Sequence, residues 1–157
     1  MEGVKTRWLS DPEQQAWRSY LDSTRLLTDA LDRQLQADAG LSLSDYEILV
    51  RLSEVPERRL RMTELAGATS YSKSRLSHAV ARLEGAGWVV RTTCEEDGRG
   101  TFAELTAAGL DKLRQAAPGH VAAVRRHLFD KLDTEQVEHL RALSAALASP
   151  ATEAAES

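Results

Sequence analysis

The sequence predicts a mainly α fold with a small β-wing, in which a winged helix-turn-helix is flanked by long helices at both ends of the chain. Three observations carry this. Residues 72–86 place Leu76, Val80 and Leu83 at helical spacing, which makes one side of a helix apolar. Residues 63–69 form a shorter helical segment with Leu65 and Ala66 to turn inward, and Ser70-Tyr71-Ser72 separates the two. A serine there caps the second helix, and so short a turn makes the helices cross steeply. Residues 88–105 then read as two β-branched strands around a polar, Gly-containing turn, a hairpin pattern.

The remaining elements follow in chain order. Ser10-Asp11-Pro12-Glu13 combines an N-cap, a first-turn proline and an acid that suits the helix dipole, so a long helix opens there. Trp17, Tyr20, Leu21, Leu27, Leu31 and Leu35 fall near one stripe of it, and Gly40 ends it. Ser44-Asp45-Tyr46-Glu47 reads as a capping box opening a second helix through about Ser53, with Ile48, Leu49 and Leu52 inward. Pro56 marks a loop, and Leu60-Arg61-Met62 is a candidate short strand beside the wing. Gly87 ends the helix of residues 72–86, and Trp88 packs at the root of the wing. Residues 107 to about 132 form one long helix that Pro118-Gly119 kinks or divides, because proline lacks the amide the helix needs. Asp133-Thr134-Glu135-Gln136 caps a last helix carrying Val137, Leu140, Leu143 and Leu147, and residues 149–157 read as a disordered tail.

At 157 residues and 42% hydrophobic content, the chain is one domain with enough apolar material for a core. Within it, residues 44–106 form the helix-turn-helix and wing, and residues 11–39 and 107–148 supply the terminal helices. Amphipathic helices at both ends have a use that the central lobe does not require: they can be buried against a second copy. A homodimer is the expectation.

The helix of residues 72–86 also presents a polar face. Ser74, Ser77, His78 and Ala81 share it, with Lys73, Arg75 and Arg82 at its flanks. Small hydrogen-bonding groups bordered by cations suit a major groove, where side chains read base edges and cations reach phosphates. The alternative is a solvated helix face. The net charge is −4, yet between Arg58 and Arg82 six basic residues face a single acid, Glu64. A basic patch on an acidic body leaves a local footprint for phosphate. Arg58, Arg59 and Arg61 in this patch are either contacts to flanking DNA backbone or a solubilising loop.

The segment resembles the winged helix of the MarR family of bacterial transcription regulators. The family hallmark, D-x-R followed after five residues by L-T, stands here as Asp97-Gly98-Arg99 and Leu105-Thr106. The helix pattern matches as well, with Ser72-Lys73-Ser74 at its start and Arg82-Leu83-Glu84 ahead of Gly87-Trp88-Val89. The resemblance implies a dimer whose terminal helices interlock, with recognition helices about 10 base pairs apart on a pseudopalindrome of double-stranded DNA. It also implies that such a regulator is most often a repressor. Ser72, Lys73, Ser74, Arg75, Ser77, His78 and Arg82 are then the candidate DNA contacts on the helix. Arg75 reads a guanine edge or binds a phosphate. Arg99 reaches DNA from the wing tip, and Asp97 stabilises the wing by pairing with an arginine. The family commonly binds small aromatic or anionic effectors between the two lobes, and Trp17, Tyr20 and Tyr46 are the candidate pocket residues, although aromatics at helical spacing also serve as core.

Other classes fit less well. Arsenic-repressor-type metal sensors carry a Cys-x-Cys pair, which the single cysteine, Cys94, cannot supply. Cys94 lies beside Glu95 and Glu96, whose charges disfavour a thiolate, so a plain strand residue is expected rather than a redox switch. His78, His120, His127 and His139 lack metal-ligand spacing, and no cofactor is expected. No acid–base pair, activated nucleophile or phosphate-cradling loop points to an enzyme. With no secretory h-region or membrane-length apolar run, a cytoplasmic protein is expected. The remaining alternative is a winged helix that serves as a protein-interaction module without specific DNA binding.

Overall fold

The structure, a computed structural model, describes residues 6–93 and 100–149. The wing tip therefore falls outside the described residues, and with it the expectations for Cys94, Asp97 and Arg99, as does most of the expected tail.

Among the described residues, six α-helices and a three-stranded antiparallel sheet make up the fold. They are α1 (Asp11–Ala39), α2 (Leu43–Ser53), β1 (Arg59–Arg61), α3 (Met62–Thr69), α4 (Lys73–Gly85), β2 (Val89–Thr93), β3 (Thr101–Leu105), α5 (Ala107–His127) and α6 (Thr134–Ala148). A 3-10 turn at Pro56–Arg58 precedes β1, and another at Phe129–Lys131 follows α5.

Local chemistry accounts for most helix ends. Ser10 caps α1 reciprocally: its backbone N–H donates to Glu13 Oε2 at 2.7 Å while its hydroxyl accepts from the Glu13 amide. Asp133 and Gln136 form the same box at α6. The start of α2 corrects the sequence reading. Ser42, not Ser44, is the N-cap, accepting from the Asp45 amide at 3.0 Å, and Ser44 only exchanges a hydroxyl contact with it. The helix starts early because Asp32 on α1 accepts the Leu43 amide at 2.8 Å, which satisfies a first-turn donor from a neighbouring helix.

A second correction concerns α5. It runs unbroken through Pro118, and its helical geometry ends at Leu128 (φ −129°, ψ −73°), short of the expected Leu132. The proline removes one amide donor, but α1 packs along α5, and Gly119 lets it come close: a β-carbon there would lie 3.2 Å from Gln34 Nε2. Tertiary contact thus holds the helix through a residue that disfavours it.

The core joins all the elements of the central lobe. Leu35, Leu41, Ile48, Leu49, Leu52, Leu65, Leu76, Val80 and Leu83 meet Val89, Ala103 and Leu105 of the sheet and Leu113 of α5. The strand order β1-β3-β2 puts β3 in the middle, with Leu60 opposite Ala103 and Val89 opposite Leu105. The candidate strand near Leu60 is thus the third member of the wing sheet.

The terminal helices are different. Only Leu31 and Leu35 of α1 are buried, and α6 buries no residue. Trp17, Tyr20, Leu21 and Leu26 of α1 stay about half exposed or more, as do Val121 of α5 and Leu143 and Leu147 of α6.

Candidate nucleic-acid interface

The candidate recognition helix is α4, set by Ser72, whose hydroxyl accepts from the Arg75 amide at 3.2 Å. Leu76, Ala79, Val80 and Leu83 are its buried face. Ser74, Arg75, His78, Ala81 and Arg82 are exposed, and Ser77 is half-buried. The polar face expected from the spacing is therefore on the outside of the molecule. Gly87 follows the helix at φ +76°, a conformation in which glycine is unstrained, and turns the chain into β2.

The two arginines on one edge of this face are both tied to α2. Arg82 Nη2 donates to Asp45 Oδ1 at 2.8 Å, and Asp45 is the buried member of the pair. A buried carboxylate requires a partner, and Arg82 supplies it through one guanidinium nitrogen while its side chain stays 56% exposed. The Arg75 guanidinium lies over the Tyr71 ring, its Cζ 4.1 Å from the ring centroid, and the Tyr71 hydroxyl donates to Glu47 Oε2 at 2.6 Å. Burial and the bond to Glu47 push the Tyr71 phenol up to about 12, so it stays a donor at physiological pH. The opposite edge, Lys73 and Ser77, borders a groove toward the wing with Met62, Thr63, Arg91 and Thr101.

The wing is fastened to α4 and α5. Arg91 on β2 donates its amide to Glu84 Oε1 at 3.1 Å and its Nη2 to the Ser77 carbonyl at 3.3 Å. Leu105 is buried, and Thr106 caps α5 by accepting from the Gly109 amide while its hydroxyl donates to the Gly87 carbonyl at 2.7 Å. The L-T pair therefore joins the wing root, the end of α4 and the start of α5. Trp88 packs against the core as expected, with Lys112 Nζ 5.0 Å from its ring centroid. Arg59 and Arg61 flank Phe102 of β3, at 4.9 and 5.1 Å, and Arg59 also pairs with Glu57 at 3.1 Å.

The three candidate pocket aromatics fall in two separate places on the single chain. Tyr46 is buried and meets His120 of α5 with ring centroids 4.4 Å apart. That cavity is lined by Leu43, Tyr46, Glu47, Val50, Arg51, Glu54 and His120. Trp17 and Tyr20 stack on each other at 6.3 Å on the exposed part of α1. Burial lowers the His120 pKa below its ordinary value. Sequence reasoning passes over Tyr71, Glu47 and Arg91. Tyr71 and Arg75 are four residues apart around a helix start, which is a readable signal, whereas Glu47 meets Tyr71 only through the tertiary fold.

Two helices joined by a short turn, the second with an exposed polar face and braced against a β-wing, define a winged-helix DNA-binding regulator. Similarity to known proteins gives it a family. The MarR family model matches residues 39–100. Sco3205 of Streptomyces coelicolor, a MarR family transcriptional regulator solved in complex with DNA, is 51% identical, with a TM-score of 0.89 and 95% of each chain covered. AbsC of the same organism, also a MarR family transcriptional regulator, is 52% identical with a TM-score of 0.83, covering 90% of this chain and 96% of its own. The HTH-type transcriptional repressor YetL of Bacillus subtilis is 32% identical over 118 residues, 75% of this chain and 70% of that protein. The chain belongs to the MarR family of transcriptional regulators. It is a DNA-binding regulator and not an enzyme. Among the described residues no helix is long and apolar enough to cross a membrane.

Proposed function

We propose that this protein binds a pseudopalindromic operator as a homodimer in the cytoplasm and represses transcription until a small molecule releases it. The exposed face of Ser74, Arg75 and His78, lying opposite the buried Leu76, Val80 and Leu83, is the observation that carries the DNA reading. The repressor assignment draws on the likeness to YetL, and the operator on the likeness to Sco3205, which was solved with DNA.

Two further features support the reading. Trp17, Tyr20, Leu26, Leu143 and Leu147 leave apolar surface on α1 and α6 uncovered in the single chain, and surface of that kind marks a face that a partner covers. The cavity beside Tyr46 and His120, about 470 Å³, is large enough for a small aromatic molecule. Its lining sets Arg51 against Glu47 and Glu54, which favours the aromatic class over the anionic one. An effector there shifts the population of dimers away from the helix spacing that fits two half-sites.

Selection of duplexes from a randomised library tests the proposal. Enrichment of an inverted repeat, bound by two chains per duplex, is the expected result. Recovery of unrelated sequences with no common half-site would replace the operator reading with an interaction module.

A further inference from the structure

Arg75 lies against a residue that does not itself belong to the exposed face of α4. Tyr71 sits in the turn before the helix, packed against the core, and the Arg75 guanidinium lies over its ring at 4.1 Å. The ring is tethered at its far end, because its hydroxyl donates to Glu47 of α2 at 2.6 Å. Glu47 is fixed in turn by the body of α2, whose Ile48, Leu49 and Leu52 are fully buried. A chain of contacts therefore runs from the core of the lobe to one cation on its outer surface.

We propose that Tyr71 is a positioning residue for base recognition, holding Arg75 by its face while leaving its edge free for DNA. The inference rests on the DNA reading above and deepens it.

The geometry of the guanidinium makes this division possible. When the group stacks flat on an aromatic ring the attraction acts through its face, and its N–H donors lie in the plane of the group and point outward. A bidentate contact to guanine O6 and N7 uses that edge. Stacking on Tyr71 therefore consumes none of the donors that recognition needs, in contrast to Arg82, whose Nη2 is already given to Asp45. A free arginine loses much rotamer freedom when it docks, and one already stacked on a held ring loses less. The acid at the far end of the ring adds to the effect, since Glu47 accepts a hydrogen bond from the phenol and so holds the end of the ring on which Arg75 rests.

A double-mutant cycle tests the proposal, using full-length protein and a duplex that the wild type has selected from a random library. The variants are Tyr71→Leu, Tyr71→Phe, Arg75→Ala and the Tyr71→Leu, Arg75→Ala pair, each checked for an intact thermal transition. Tyr71→Leu is expected to weaken binding about three- to thirty-fold in the wild-type background, and to have almost no further effect once Arg75 is alanine. Tyr71→Phe keeps the ring and loses the bond to Glu47, so its loss is expected to be smaller. A readout on the free protein accompanies the cycle: the Arg75 Nε–H relaxation rate reports motion of the side chain, and it should show a freer guanidinium in Tyr71→Leu. Equal losses from Tyr71→Leu in both backgrounds, or unchanged Arg75 motion, would overturn the positioning role while leaving Arg75 as a contact. Failure of Arg75→Ala to weaken binding would instead overturn the reading of Arg75 on which the proposal rests.

Discussion

Arg82 on α4 donates to Asp45 on α2 at 2.8 Å, and it is the acid, not the arginine, that is buried. The asymmetry decides what the pair does. The Asp45 side chain is 13% exposed and that of Arg82 is 56% exposed, so removing the arginine strands a carboxylate inside the lobe, whereas removing the acid frees a cation that water already reaches. Arg82→Ala is expected to lower stability by about 1–3 kcal/mol, the larger figure for a buried pair being reduced by the exposure of Arg82. Urea unfolding checks it, and the double variant Asp45→Asn, Arg82→Gln should lose less than Arg82→Ala alone.

The joint between wing and α5 predicts a second sensitive position. A β-carbon at Gly109 would collide with the Trp88 carbonyl oxygen and lie 2.7 Å from Leu105 Cδ1. The obstacle is backbone, so it cannot turn aside. Gly109→Ala is expected to cost about 2–4 kcal/mol through overpacking, although alanine favours a helix interior by propensity. Denaturation of the variant with a midpoint at or above that of the wild type would show that the joint can open at little cost.

How far the sequence discloses these relationships depends on their range. Ser10, Ser72 and Asp133 are legible as caps because capping acts over three residues, and the inward face of α4 follows from the spacing of Leu76, Val80 and Leu83. Ser44 misleads because two serines lie two residues apart, and the choice between them involves Asp32 on another helix. Pro118 reads as a kink or a division since local propensity says so, and the division does not occur because α1 packs on α5, a contact far away in sequence. The exposed cations are legible, but not what holds them. Asp45 with Arg82 and Glu47 with Tyr71 are tertiary pairs separated by 37 and 24 residues, and no periodicity marks them.

His120 gives a pH dependence with a definite sign. Burial beside Tyr46 depresses its folded-state pKa below the ordinary value of 6.5, so the folded protein resists protonation that the unfolded chain accepts. The contribution of the neutral ring is therefore present above about pH 6.5 and is lost as pH falls through the folded pKa. Unfolding midpoints measured from pH 7.5 downward should fall more steeply for the wild type than for His120→Phe. Parallel curves would show that His120 does not set the pH dependence.

The uncovered side chains of α1 and α6 predict the assembly state. Leu143 and Leu147 are 64% and 69% exposed in the single chain, and a charge at such positions costs little unless a second copy covers them. Sedimentation of Leu143→Asp, Leu147→Asp should show monomers where the wild type shows dimers, with DNA affinity lost in step. A variant that remained dimeric would place the interface elsewhere.

Sequence reading by the exposed face of α4, through Arg75, is central to the proposed function. Fluorescence anisotropy of the library-selected duplex and of a shuffled duplex, over a salt series, with wild type and Arg75→Ala, tests it most directly. The predicted result is a wild-type preference for the selected duplex that Arg75→Ala reduces by about 1–3 kcal/mol, with the relaxed preference confined to one position in each half-site. A loss of the same size on both duplexes, with a shallower salt slope, would contradict base reading and assign Arg75 to phosphate.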